Sequence, residues 1–358
     1  MKSPIRILVA AAVAMAAASL IVGCGGGGSS GGGTALTPQQ ACDALDGAPI
    51  EASRIALPTR GGEVVSTRLV LAGAQGNADG EYCQVEGKIH GVDTTAQDIN
   101  FGIRLPSAWN NKALHVGGGS WDGAIPIGNE ETRVVRGNAA TPLARGYAVF
   151  GSDSGHADPA DLDASFALND EQLANFGGDQ LKKTRDATME ILQRRYGRLP
   201  AKTYFVGLSN GGREALVVVQ RFPADYDAVL ALFPSLALTP LLVELNQAAL
   251  AMFANHGAGW ISPAKAAFLN RSVVSTCDAS DGVVDGIVSD PSCTFDYRSL
   301  RCPGGADTAS DCFSDPQLKA LDALFQRLTF SYALANGVAS SGPFSLSANF
   351  ASDLNILG

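Results

Sequence analysis

Lys202-Thr203-Tyr204-Phe205-Val206-Gly207-Leu208-Ser209-Asn210-Gly211-Gly212 joins a short apolar stretch to an amphipathic one. Lys202–Gly207 reads as a strand, and Asn210–Phe222 reads as a helix. Between them lies Gly-x-Ser-x-Gly, with Ser209 at its centre. A chain that reverses this sharply holds its central residue in a strained conformation, and flanking glycines let neighbouring backbone pass. A serine there is presented at the strand's carboxyl end and at a helix N-terminus, the position of an activated nucleophile. The N–H of Asn210 then points to where a tetrahedral oxyanion forms. The bland alternative is a plain strand–helix turn in which Ser209 caps the helix.

Upstream, Arg68–Leu71, Tyr82–Ile89, Ile99–Leu105, Lys112–Val116 and Tyr147–Phe150 read as strands between Gly- and Asp-rich turns. Asp179–Tyr196 reads as a helix stopped by Gly197 and Pro200. Asp227–Phe233 is a further apolar strand. Strands and helices in alternation imply a parallel sheet with crossovers. Helical segments follow over Pro240–Phe253, Pro263–Val274 and Asp315–Leu328, and Thr329–Gly358 shows no strong period.

A second glycine-rich segment, Val116-Gly117-Gly118-Gly119-Ser120-Trp121, follows a strand. Glycines let backbone amides approach a ligand, so this run is the expected other half of an oxyanion hole, with the donor placed at Gly118 N–H. Its rivals are a structural turn and a phosphate cradle, but the run lacks the Lys-Ser/Thr ending of the latter.

The 358 residues carry a formal net charge of -9, with 46% hydrophobic and 17% charged residues. Such an acidic chain is a poor partner for nucleic acid, and none is expected. At the N-terminus, Lys2 and Arg6 precede an apolar run, Ile7–Val22, too short for a membrane span. It ends Leu20-Ile21-Val22-Gly23-Cys24, which resembles a bacterial lipoprotein signal with Cys24 as the lipidated residue. An ordinary secretory signal is the alternative; either exports the protein, to the outer membrane as a lipoprotein or to the periplasm or medium. Gly- and Ser-rich sequence after Cys24 reads as a flexible tether.

Cys42, Cys83, Cys277, Cys293, Cys302 and Cys312 remain, an even count that favours disulfides in an oxidising compartment. Sequence leaves every pairing open. Local closure favours Cys42–Cys83, Cys277–Cys293 and Cys302–Cys312, with zinc the weaker alternative because no CxxC pairs occur.

Cys277-Asp278-Ala279-Ser280-Asp281-Gly282-Val283-Val284-Asp285-Gly286-Ile287 is dense in oxygen ligands. Side chains of Asp278, Asp281 and Asp285 with the carbonyls of Val283 and Ile287 make a shell suited to structural Ca2+. The spacing is not that of an EF-hand, and a solvated acidic turn is the competing reading.

GGGSWDG at Gly117–Gly123, RGYAVFGSDSGH at Arg145–His156, YFVGLSNGGREAL at Tyr204–Leu216, QRFPADYDAVLA at Gln220–Ala231 and CDASDGVVDGIVSDPSC at Cys277–Cys293 occur in this order. Together they resemble the tannase/feruloyl esterase family of secreted serine esterases. The resemblance implies an α/β-hydrolase fold, with a mainly parallel sheet, helices on both faces and an inserted lid. It implies acyl-serine hydrolysis of small aromatic esters, such as hydroxycinnamates or gallates. It also implies the calcium loop and the same oxyanion donors.

On this reading residues 1–23 are the signal, 24–38 the tether, 39–238 the N-terminal part of the catalytic domain, and 239–358 part of the lid. Two departures stand out. Leu208 occupies the place of a family cysteine that is disulfide-linked beside the catalytic His. After Ser209 the only histidine is His256, in a helix-like segment and poorly placed as a base. His156 reads as a structural or site-wall residue, and His90 and His115 as packing or surface residues. The expectation is a chain that stops inside the lid, without the acid and base of a longer esterase. The competing function is a non-catalytic, calcium-stabilised surface lipoprotein or binding module.

Overall fold

Along Tyr82–Ile89 the side chains alternate between half-buried and buried, so Cys83, Val85, Gly87 and Ile89 face one core. This is the two-residue period of a strand with one covered face. In the computed structural model, which describes residues 36–128, 132–133, 137–157 and 163–347, this strand is β3. It follows β1 (Pro49–Ile50) and β2 (Gly62–Val70), and precedes β4 (Ile99–Pro106), β5 (Lys112–Val116), β6 (Ala148–Ser152), β7 (Lys202–Leu208) and β8 (Ala228–Leu232). One sheet holds all eight in the order β1-β2-β3-β4-β6-β5-β7-β8. β1 to β4 run antiparallel, and β4 joins β6 antiparallel. β6, β5, β7 and β8 are mutually parallel.

The sheet is therefore mixed: a parallel core carrying the serine turn, widened by an antiparallel meander. Short connections between the early strands dictate the meander, because parallel neighbours need a longer crossover. β2 begins well before the Arg68 expected from sequence. Its earlier half is mostly polar or exposed, with Val64 the one buried residue before Val70, which leaves little apolar alternation to read.

Helices α1 (Pro38–Asp43), α2 (Asp170–Ala174), α3 (Gln180–Tyr196) and α4 (Asn210–Arg221) accompany this sheet. Ala187, Ile191 and Leu192 of α3 pack with Ala113, Phe150 and Phe101. Ala215 and Val218 of α4 pack with Phe205. Residues alternate across a strand, so both helices cover the face carrying Ala113, Phe150 and Phe205. The opposite face presents Leu114, Val116, Val149 and Val206, packed with Leu143 and the half-buried Tyr147 and Tyr204. Among the described residues no long helix covers that second face.

Beyond the sheet lie α5 (Leu238–Gly257), α6 (Pro263–Cys277) and α7 (Asp315–Phe325). Ala248, Met252, Leu269, Val273, Phe313, Leu321 and Leu324 form a hydrophobic cluster of their own. α5 breaks at Ala254, Asn255 and His256, whose backbones are not helical, so the regular helix ends at Phe253 as expected, while His256 leaves the helix-like segment in which it was expected. α7 ends at Phe325, not Leu328, because Gln326 turns extended and Leu328–Thr329 pairs with Ser340–Ser341.

The disulfides are Cys42–Cys83, Cys277–Cys293 and Cys302–Cys312. The first fastens α1 to β3 inside the sheet's core. The signal, Cys24 and most of the tether lie outside the described residues. Among the described residues no helix is long and apolar enough to cross a membrane.

Candidate active site

β7 ends at Leu208 and α4 begins at Asn210, which leaves Ser209 alone to reverse the chain. Its φ is 57° and its ψ -116°, a strained conformation for a residue with a Cβ. Such strain costs on the order of 1–3 kcal/mol and persists only where the surroundings over-determine it. Here they do. Ser209 N–H donates to Leu232 O at 3.0 Å, and Ser209 O accepts from Arg213 N and Ser235 N. The serine side chain caps no backbone amide of α4, which removes the plain N-cap alternative.

The flanking glycines are demanded by close approach. A Cβ on Gly211 would lie 2.6 Å from Gly118 O, and one on Gly207 would collide with the Gly211 backbone. The same contact brings the Gly117–Gly119 run against the serine turn. As the first residue of α4, Asn210 has an N–H with no partner inside the helix.

The donor expected at Gly118 must be corrected. Gly118 N–H donates to Glu214 Oε2 at 3.0 Å, so it is turned toward the protein interior. Gly117 N–H is likewise committed, to Val206 O at 2.9 Å. Gly119 is the member of the run with open space beside it.

Below the turn lie carboxyl groups that the sequence reading missed. Asp122 and Glu214 are buried side by side. Burial and the neighbouring Glu214 charge hold the Asp122 carboxyl well above the usual range. Burial raises Glu214 too, against the opposing Arg213 guanidinium. The available signal was a Glu on the inward side of α4, four residues past Asn210.

None of the described histidines is hydrogen-bonded to the Ser209 hydroxyl. His115 is buried, its Nδ1 lies 2.8 Å from Tyr226 Oη, and it stacks on Phe150. Burial and then Arg185 push its pKa down to about 3, so it is a neutral packing residue. His90 meets Asp98 at 3.1 Å on the sheet's early half. His156 is buried, stacks on Phe166 at 3.8 Å, and its Nε2 lies 2.6 Å from Trp121 O. With Phe176 these rings form an aromatic cluster beside the Gly117–Gly119 loop. His256 is exposed in the α5 break.

The acidic loop does not gather its carboxylates. Asp278 Oδ1 accepts from Asp285 N and Gly286 N, Asp281 from Val283 N and Ser289 N, and Asp285 from Ile287 N. Among the described residues no group of three or more His, Cys, Asp or Glu is placed to hold a metal ion. As folded here, the loop satisfies its acidic oxygens with its own amides and does not fit a preformed calcium cage.

A strained serine turn at the carboxyl end of a parallel strand, at the head of a helix, defines an α/β-hydrolase fold. Solved structures agree: feruloyl esterase B from Aspergillus oryzae matches with a TM-score of 0.68 over 88% of this chain and 60% of its own, at 22% identity. Tannin acyl hydrolase from Aspergillus niger matches with a TM-score of 0.62 over 87% of this chain and 59% of its own, at 18% identity.

The profile described as tannase and feruloyl esterase matches residues 83–353, so the chain belongs to that family. An uncharacterized esterase of Agrobacterium fabrum is 37% identical over 84% of this chain and 56% of its own. The mono(2-hydroxyethyl) terephthalate hydrolase of Piscinibacter sakaiensis is 28% identical over 77% of this chain and 47% of its own. A probable feruloyl esterase B-2 of Aspergillus flavus is 30% identical over 62% of this chain and 41% of its own. The chain thus spans about half the length of the curated relatives it matches.

Proposed function

We propose that this chain carries the nucleophile half of a carboxylic ester hydrolase that works through an acyl-Ser209 intermediate. The observation that carries the reading is the Ser209 backbone, held at φ 57° with its hydroxyl released from helix capping. Strain of that kind clusters at functional sites, and with the match to the esterase family it favours catalysis over the non-catalytic alternative. Asn210 N–H is one oxyanion donor, and the Gly119 amide replaces Gly118 as the other.

A serine hydroxyl needs a base at neutral pH. His90, His115 and His156 are engaged elsewhere, and His256 is exposed, so the base and its orienting acid are assigned to residues other than these. Small aromatic esters are the proposed substrates, on the strength of relatives named for terephthalate and feruloyl esters and of the Trp121, Phe166 and Phe176 cluster beside the glycine loop. Three disulfides favour an exported location, and lipidation at Cys24 is the proposed anchor. Calcium at Asp278, Asp281 and Asp285, with the Val283 and Ile287 carbonyls, is retained as a proposal that requires these side chains to leave their backbone amides.

A fluorophosphonate probe tests the reading. Ser209 is the expected site of labelling, and Ser209→Ala abolishes it. Absence of labelling both in this chain and in a version extended to the length of its relatives overturns the proposal.

A further inference from the structure

A chain of polar side chains, buried except for Arg213 at its outer end, runs beneath the serine turn. Arg213 Nε donates to Asn210 Oδ1 at 2.7 Å. Arginine has no acceptor, so the Asn210 amide has one orientation only, with its Nδ2 toward Asp122. Asn210 Nδ2 donates to Asp122 Oδ1 at 2.8 Å. From the other end, Ser152 Oγ donates to Gln180 Oε1 at 2.6 Å, and Gln180 Nε2 donates to Glu214 Oε1 at 2.7 Å. Gly118 N–H, an obligatory donor, fills Glu214 Oε2 at 3.0 Å.

Both Glu214 oxygens therefore act as acceptors. Asp122 Oδ2 is buried, and no N–H or O–H donor of the described residues reaches it. Its hydrogen-bonding neighbour is the Glu214 carboxyl. Two acceptors face each other, and a hydrogen bond between them needs one proton.

We propose that Asp122 carries that proton and donates it to the ionised Glu214 carboxylate, and that this one-proton bridge clamps the Gly117–Gly119 loop against the Ser209 turn. Its catalytic meaning rests on the nucleophile reading above; the protonation state does not. Asp122 sits in the loop and Glu214 in α4; Asn210 reaches the pair through its side-chain amide and Gly118 through its backbone N–H. Asp122 and Glu214 are thus positioning residues for the oxyanion site.

The surrounding charges support one shared proton. Arg213, on α4, is engaged by Asn210 Oδ1 and Phe176 O. Asp153, after β6, accepts from Asn100 and Gly155. His156 Nε2 faces Trp121 O, and Tyr226 and His115 face each other. One positive group, Arg213, beside two enclosed carboxyls leaves room for one negative charge.

The test uses the purified full chain and two variants. Infrared spectra at about pH 7 are expected to show the carbonyl band of a protonated carboxyl in the wild type, and Asp122→Asn is expected to lose it. Asp153, with a pKa of about 6, is mostly ionised there and does not supply the band. A raised carboxyl pKa means that stability is full below the ordinary value and is lost as pH rises through the folded one. The contribution of Asp122 to stability therefore falls from about pH 4 upward and continues past Asp153's window, so the difference in melting midpoint between wild type and Asp122→Asn shrinks over that range.

An asparagine matches the protonated acid, with Oδ1 accepting from Asn210 and Nδ2 donating to Glu214. Glu214→Gln sets an amide donor against Gly118 N–H or Gln180 Nε2, and lowers the melting midpoint on the order of 5 °C. Absence of the band in the wild type overturns the proposal. So does its persistence in Asp122→Asn, or an unchanged pH slope there. The wild-type band decides even if a variant does not fold. Loss of fluorophosphonate labelling with the band intact would instead strike the esterase reading alone.

Discussion

Gly118 N–H donates to Glu214 Oε2, which ties the loop after β5 to the inner side of the helix that starts beside Ser209. The two halves of the proposed oxyanion site are therefore one mechanical unit. Displacing either displaces both, and the consequences can be measured.

Relief of strain at Ser209 separates stability from chemistry. Glycine adopts φ 57° readily, so Ser209→Gly is expected to raise unfolding stability by about 1 kcal/mol. Serine labelling disappears in the same variant. Denaturant melts of wild type, Ser209→Gly and Ser209→Ala check this; only the glycine variant gains stability.

A methyl group at Gly211 has nowhere to go, because Gly118 O would lie 2.6 Å from it and belongs to rigid backbone. Gly211→Ala should cost about 1–3 kcal/mol through overpacking. It should also slow Ser209 labelling on the order of 100-fold, since small displacements of reacting groups cost that much. Labelling kinetics on folded protein, verified by circular dichroism, would show whether the rate survives.

Acid sensitivity is expected from His115. Its folded pKa of about 3 lies below its ordinary 6.5. The stability from its neutral form is present above the ordinary value and lost as pH falls toward 3. His115→Phe, which keeps the ring packing on Phe150, is expected to flatten the acid limb of a melting-versus-pH curve. An unchanged limb would mean that His115 is not buried neutral.

Opening Cys42–Cys83 removes a cross-link over 41 residues that joins α1 to the sheet. Cys42→Ser with Cys83→Ser should cost about 3–4 kcal/mol. Thermal melting of the oxidised wild type against the double variant reads the loss directly.

For the acidic loop, millimolar calcium is expected to raise the melting midpoint of the wild type and not of Asp281→Ala. The carboxylates must first release the amides of Val283, Asp285, Gly286, Ile287 and Ser289. Melting that ignores both calcium and chelator ends the metal proposal and leaves a loop closed by Cys277–Cys293 and its own amides.

Local pattern made much of this legible. Tyr82–Ile89 and Lys112–Val116 are strands over the range their alternation and apolar content indicate. The serine turn announces itself through Gly207, whose Cβ would meet the Gly211 backbone four residues on, although Gly211 itself answers to the remote Gly118 O. Legibility fades where the deciding contact is remote. The helical pattern runs to Leu328, three residues past the end of α7, since pairing of Leu328–Thr329 with Ser340–Ser341 draws the chain out of the helix.

By itself, the sequence determined that Ser209 stands between a strand and a helix, flanked by glycines, in a chain of the tannase and feruloyl esterase type. Those are properties of neighbouring residues and of their conformational limits. Tertiary structure alone decided where the Gly118 amide points, that Asp122 and Glu214 share one buried space, and that the acidic oxygens of the Asp278–Asp285 loop turn to its own backbone. Glu214 lies 96 residues beyond Gly118 in the chain. A hydrogen bond over that separation has no local signature, because it depends on two elements being folded against the same sheet.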